Sequence, residues 1–439
     1  MVLSSTFMTI LLLAGSCSSI ISRFAIKPRR FTGMALSCAR VLPCNDEGIT
    51  RAATSIKAGE LVAFPTETVY GLGADALQAE SVKRIFQAKR RPATDPLIVH
   101  VHSYDQVSAL FDFESPQGAV ASTLISQLCA SFWPGPLTII YKATAVVPPE
   151  VTSGTGFVGV RSPRHPIARQ LLERSGACIA APSANRFGHV SPTTHNHVLA
   201  DLGEEDISVL QDDPEETGGC DIGIESTVCR ISPAGDAVSI LRCGAVTPAA
   251  LQAICGSNIP VTVADSGGIL AEGPTPTSPP AEVQGAEKGS NAAVAPGQMV
   301  RHYAPDLPTM ILRDSSSIPG AGTIAAMDAV LERVVQSARA DLRKELSLSS
   351  LLVMDFGGEL NALGLREGCA VYLDLSPSGD PAEACANVFR MLREAESHGS
   401  KLLGVRSILL PDLRPRAQQD DLVLALWERL HRSASGVFV

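Results

Sequence analysis

One stretch decides how this chain can fold. From residue 264 to 297 the sequence runs through DSGGILAEGPTPTSPPAEVQGAEKGSNAAVAPG, rich in Pro, Gly, Ser and Ala and poor in large apolar residues. Such a segment cannot bury enough surface to offset the entropy of ordering it, so it reads as a linker. On either side, strand-like and helix-like patterns alternate. The chain is therefore expected to be α/β in two parts, residues 46–260 and 309–439, joined by a linker at 261–308 and preceded by a leader at 1–45.

In the first part GELVAFPT reads as a buried strand, and SVKRIFQAKR places Val82, Ile85, Phe86 and Ala88 at helical spacing. PLIVHV, LTIIYKA, FVGVR and ACIAAPSAN are further strands, with HPIARQLLERSG a helix closed by Gly176. TVCRIS and AVSILRCG form a hairpin around Pro233, Ala234 and Gly235. In the second part TMILR, SLLVMDF, CAVYLDL and KLLGVRSILLP are strands. DAVLERVVQSARADL, DPAEACANVFRMLREAES and DLVLALWERLHRSA are helices.

Charge narrows the function. The net charge is −9, and residues 1–45 carry five basic and no acidic side chains, leaving about −14 for the rest. A protein that coats nucleic acid needs a positive surface, so that class is disfavoured and a local basic cavity is not. Eleven cysteines with no CxxC fit reduced thiols and exclude the common structural zinc modules. The acid-free, Ser- and Arg-bearing N-terminus reads as a transit segment. Its rivals are a secretory signal or a leader bypassed by starting at Met34. The apolar run Met8–Gly15 is too short to span a bilayer. The expected destination is the cytoplasm and/or a mitochondrion, with a plastid as the alternative.

No phosphate loop, dinucleotide fingerprint, nucleophile elbow or HExxH is present. Three blocks carry chemistry instead. Phe64-Pro-Thr-Glu-Thr-Val-Tyr-Gly-Leu-Gly73 reads as a strand and turn, its glycines allowing close approach of backbone or positive φ. Lys89-Arg-Arg-Pro-Ala-Thr-Asp-Pro-Leu97 stacks cations at a helix end. By itself it is a solvated cap on the helix dipole; functionally it is a phosphate clamp. Ala181-Pro-Ser-Ala-Asn185, followed by Ser191-Pro-Thr-Thr194, offers hydroxyls and an amide at a strand end, as plain turns also do.

With Gly-Ile-Glu225-Ser-Thr-Val228, Ile-Leu-Arg242 and Pro-Gly-Gln-Met-Val-Arg-His-Tyr-Ala-Pro305, these blocks resemble the threonylcarbamoyl-AMP synthase family in its long form. The resemblance implies a YrdC-like mixed twisted sheet with helices, linked to a smaller Rossmann-like α/β domain. It implies synthesis of L-threonylcarbamoyladenylate and pyrophosphate from L-threonine, bicarbonate and ATP, with Mg2+ accompanying ATP. The product serves threonylcarbamoyladenosine modification of tRNAs that read ANN codons. Lys89, Arg91, Ser183 and Asn185 fall on the catalytic pairs. Arg91, Asp95, Ser183, Ser191, Arg242 and Tyr303 fall on ATP-contacting positions, and Thr68, His100, Arg161, Ala181 and Ser226 on threonine-contacting ones. No protein ligand to a metal is implied. The partners implied are the substrates, the downstream tRNA threonylcarbamoyl transferase and weak tRNA contact, with no membrane. RHYAP becomes a lid whose Tyr303 covers the nucleotide. Phe157 departs from the family, which has threonine there; either Thr155 takes the role or the contact is lost. Gln298 is an extra residue in the pattern.

Other readings rank lower. A double-stranded RNA binder conflicts with the acidic charge, and a hydrogenase-maturation type carbamoyl transferase with the missing CxxC modules. A nucleotide sensor without turnover conflicts with the intact Lys89, Arg91, Ser183 and Asn185 set. His195 and His197 suggest a metal pair without a third ligand, and read better as solvated histidines of a polar loop. Cys178 and Cys220 lack an adjacent base.

Overall fold

The computed structural model describes residues 39–114, 116–264, 302–318, 322–338, 343, 346–401 and 404–439. Two sheets organise them. The larger has eleven strands: β1 (Arg40–Pro43), β2 (Leu61–Phe64), β3 (Gly71–Asp75), β4 (Ile98–His100), β5 (Leu137–Lys142), β6 (Phe157–Arg161), β7 (Ile179–Ala180), β8 (Ile207–Gln211), β9 (Thr227–Ile231), β10 (Val238–Arg242) and β11 (Val261–Val263). Their order is β1-β8-β2-β3-β7-β4-β6-β5-β9-β10-β11. Parallel pairs such as β4 with β6 alternate with antiparallel pairs such as β5 with β6. The sheet is mixed, as expected.

Strand β2 is buried on both faces. Leu61 and Ala63 enter one core cluster, Val62 and Phe64 another, which is the period-2 consequence of a central strand. The helix Ala79–Lys89 buries Val82, Ile85 and Ala88 and ends at Arg90 in a left-handed turn (φ 53°). Two residues later Pro92 forbids continuation. The helix Pro166–Ser175 starts on proline and stops at Gly176 with φ 65°. The hairpin β9–β10 turns where Gly235 N donates to Ser232 O at 2.9 Å.

Three boundaries are corrected. Residues 40–45 do not belong to the leader: β1 pairs in parallel with β8, and Asn45 caps the helix Asp46–Lys57 by accepting from Gly48 N. The signal is faint because Leu42 is the one buried residue of that edge strand. Residues 1–38 of the expected leader lie outside the described residues. The assigned linker loses its first three residues, since Val261–Val263 pair with β10 as β11. Its stretch 265–301, with Gln298, also lies outside. Gly71–Asp75, read as a turn, is strand β3 between β2 and β7.

The smaller sheet is wholly parallel. It contains β12 (Thr309–Leu312), β13 (Leu351–Asp355), β14 (Val371–Asp374) and β15 (Ser407–Pro411), ordered β12-β15-β13-β14. One face packs on the helix Ile324–Ser337. The other packs on the helices Pro381–Lys401 and Asp421–Ser433, whose Phe389, Leu392, Trp427 and Leu430 join the same core cluster as β3 to β6. The two parts thus share one continuous core. Among the described residues no helix is long and apolar enough to cross a membrane.

Candidate active site

A cavity lies among strand β4, the ends of β6 and β10, the loops after β2 and β7 and the segment leading into β9. Three arginines, Arg91, Arg161 and Arg242, line it together with Thr66, Thr68, His100, Ser183, Ser226, His302 and Tyr303. A protein of net charge −9 has therefore gathered cations around one hollow.

Each arginine is anchored from behind. Arg161, the last residue of β6, meets the Glu67 carboxylate at 2.6 Å and donates to Thr68 Oγ1 at 2.9 Å and Gly135 O at 3.2 Å. Burial works against the Glu67 charge, yet the guanidinium holds its carboxyl below the usual range. Arg91 pairs with Asp95 at 2.9 Å and donates to the carbonyls of Asp95 and Pro96. Arg242 donates to Ser226 O at 3.0 Å and Ser226 Oγ at 3.1 Å. Ser226 also shares a hydrogen bond with Thr138 at 2.8 Å.

Four expected site residues, Lys89, Asp95, Asn185 and Ser191, stand one layer behind the cavity wall. Lys89 is 1% exposed, and its Nζ donates to Ser183 O at 2.5 Å and to Asn185 O. Burial, then repulsion from Arg91, holds this ammonium well below its ordinary pKa. Asn185 donates to Arg186 O and His189 O. Asp95 is spent on Arg91. Ser191 donates to Glu225 Oε1 at 2.6 Å. A helix-terminal cation cluster looks the same in sequence whether it faces a ligand or a loop; here its lysine holds the Ser183–Asn185 loop in place.

Thr68, His100, Arg161, Ala181 and Ser226 do come together on the wall, as do Ser183, Arg242 and Tyr303. His100 packs edge-on against Phe64 and is kept neutral, its pKa pushed to about 3 by burial and then by Arg161. Tyr303, at φ 62°, lies between His302 and Phe389, and its hydroxyl has no partner. Burial, then Glu225, raises that hydroxyl to about 12. Gly71 and Gly73 have ordinary φ. A Cβ on Gly73 would lie 2.7 Å from both Phe64 and Ile179, so its smallness serves packing. Neither Thr155 nor Phe157 lines the cavity; Phe157 sits under the Arg230 guanidinium. His195 and His197 open a helix rather than a loop, and His197 is partly buried. Burial pushes the Cys178 thiol up to about 11 and the Cys220 thiol higher, away from nucleophile chemistry.

Sequence reasoning missed Thr66, Glu67, Glu225 and His302. Glu67 and Glu225 lie inside quoted blocks, but their roles need arginines 94 and 204 residues away, one to each. Of these carboxylates only Glu225 lines the cavity, bonded to Ser191 and Arg429; Glu67 and Asp95 stand behind it, paired with Arg161 and Arg91.

The profile of the family described as telomere recombination (Sua5, YciO and YrdC) matches residues 54–244. That of the threonylcarbamoyl-AMP synthase C-terminal domain matches residues 246–435. The chain is 33% identical to the threonylcarbamoyl-AMP synthase of Pyrococcus abyssi, over 88% of this chain and 93% of that one. It is 38% identical to that of Bacillus subtilis, over 62% and 69%. The crystal structure of P. abyssi Sua5 complexed with L-threonine superposes with a TM-score of 0.67 at 30% identity, covering 91% of this chain and 99% of that one. This chain belongs to the threonylcarbamoyl-AMP synthase family.

Proposed function

We propose that the cavity binds ATP and L-threonine side by side and makes L-threonylcarbamoyladenylate for tRNA threonylcarbamoyladenosine modification. Membership of the family makes the chain a nucleotidyltransferase-type enzyme. The observation that carries the site reading is the set of three arginines on one small cavity, two of them anchored by buried carboxylates.

In this reading the threonine α-carboxylate meets Arg161, whose fork suits a carboxylate. Thr68 and Ser226 receive its polar groups, and neutral His100 avoids placing one more cation beside the amine. The deprotonated amine adds to CO2 derived from bicarbonate, giving a carbamate. A carbamate oxygen then attacks the α-phosphorus, and the bond to the β-phosphate oxygen breaks to release pyrophosphate. Charge accumulates on the phosphate oxygens, so fixed cations matter most. Arg91 and Arg242 supply them, with Ser183 as a hydroxyl donor. Lys89 and Asn185 act as positioning residues for the Ser183 loop. Mg2+ enters with the nucleotide as part of the substrate. Tyr303, with its unpartnered hydroxyl over the cavity, covers the nucleotide and shields the labile mixed anhydride.

The acid-free segment before Arg40 supports delivery to an organelle; import of a reporter carrying residues 1–39 tests it. The tRNA and transferase partners rest on the family's chemistry.

The deciding experiment is pyrophosphate release from ATP with and without L-threonine and bicarbonate. Release that requires both, and that falls by about 10²-fold or more in Arg91→Ala and less in Lys89→Ala, supports the reading. Release indifferent to threonine defeats it.

A further inference from the structure

We infer that Arg429, from the helix Asp421–Ser433, is a positioning residue for the nucleotide side of the cavity. The inference rests on the cavity being the ATP site.

Arg429 is the second-largest fully buried side chain of the described residues, at 1% exposure. Its helix belongs to the second α/β part, yet its guanidinium is spent mainly on the first. Nε faces Glu225 Oε2 at 3.3 Å, and Nη2 donates to Glu225 O at 3.4 Å. Nη1 donates to Cys243 O at 2.5 Å and to Ala425 O at 3.0 Å. The adjacent Glu428 accepts from Cys243 N at 3.3 Å. Helix Asp421–Ser433 thus grips both polar groups of the Cys243 peptide and both ends of Glu225.

These two anchor points flank the wall. Glu225 lines the cavity and receives the Ser191 hydroxyl on its other oxygen. Cys243 follows Arg242, whose guanidinium lines the cavity and binds Ser226. The two segments run in close contact, since a Cβ on Gly244 would fall 2.5 Å from Thr227 N and 2.8 Å from Glu225 O. Without the guanidinium, Glu225 keeps one hydroxyl as its partner, and the Arg242–Gly244 segment loses the bond to Cys243 O. A planar fork with five donors can hold both segments at once; an ammonium has neither the reach nor the plane. On the threonine side Arg161 and Thr68 hang on Glu67 and Gly135, away from this staple, and only Ser226 of that set adjoins it.

The test is steady-state kinetics of full-length Arg429→Lys and Arg429→Met, with ATP and threonine varied separately and Tm recorded. The expected result for Arg429→Lys is a rise of about tenfold or more in KM for ATP, with a clearly smaller rise in KM for threonine through Ser226. A purely structural role lowers Tm and the active fraction, and so kcat, while both KM values stay put; that outcome overturns the inference, as does wild-type KM for ATP. In Glu225→Gln combined with Arg429→Lys, ATP losses should fall short of the product of the single effects, and full additivity also overturns it. If Arg429→Met does not fold, the Lys and double variants decide. A wild-type enzyme that fails to bind ATP defeats the site reading instead.

Discussion

The cavity and the crest of the smaller sheet are built from similar parts and end in opposite states. Both gather glycine-, serine- and aspartate-bearing loops at strand ends. In open parallel sheets the crevice at the carboxyl ends is where ligands usually bind. Above β13 and β14 that space is filled from within. Asp374 accepts from Gly357 N, Gly358 N and Ser376 N, each at 3.1 Å. Asp355 accepts from Phe356 N, Leu360 N and Asn361 N and from the Tyr372 hydroxyl at 2.7 Å. The protein's own carboxylates stand where an anionic ligand would. The cavity is the reverse: His100 Nδ1, His302 Nδ1 and the Tyr303 hydroxyl are buried there with no partner. Unspent buried polar atoms cost stability, and this cluster of them fits the substrate site proposed above. A satisfied network marks a brace.

That contrast can be broken by mutation. Removing the carboxylate in Asp355→Ala orphans three amides and leaves the Tyr372 hydroxyl only Asp374 at 3.4 Å, with an expected loss of about 3 kcal/mol or more, read as a large fall in Tm. The KM values of the folded fraction should not change. A KM effect there would make the crest a functional site. Next, Arg161→Lys keeps a cation beside Glu67 but loses the fork. KM for threonine should rise by about 10- to 100-fold, with a fall in Tm smaller than that of Asp355→Ala, measured by kinetics and thermal unfolding. Smallest is Tyr303→Phe, which deletes an unpartnered hydroxyl. Stability should hold or gain slightly, while ATP binding by calorimetry weakens by about 1 kcal/mol. A loss of stability without weaker binding would move Tyr303 to the brace side.

The link between the two regions sharpens the lesson. Arg393 pairs with Asp201 at 2.7 Å, and Glu396 meets His189 Nε2 at 2.7 Å, both from the helix Pro381–Lys401. Asp201 takes the other His189 nitrogen. Against the cost of burial, the two carboxylates raise this imidazole to about 9. Together with Arg429, the second α/β part braces the loops that carry Asn185, Ser191 and Glu225.

Much of the fold was legible because its signals are local. Continuous apolar runs gave β2, β5 and β6; helical spacing gave the helix Ala79–Lys89; Gly176 gave a stop. Strands β1, β3 and β11 were not, because short or glycine-rich segments owe their pairing to neighbours rather than to their own pattern. The site was legible as a set of motif residues, and Thr68, His100, Arg161, Arg242 and Tyr303 do share one cavity. Which of them touch it was not legible. Lys89 spends its ammonium on backbone carbonyls and Asn185 its amide nitrogen, while Asn185 Oδ1 has no partner.

By itself the sequence determined two α/β patterns, a break between them and a family-specific set of cations and hydroxyls. Periodicity, turn residues and motif order are properties of neighbouring positions. Only the tertiary structure decided that Glu67 holds Arg161, that Asp374 fills its own crest, and that Arg429 reaches 204 residues back to Glu225. Whether a buried charge binds substrate or a distant partner depends on what packing brings within about 3 Å of it, and no local pattern encodes that distance.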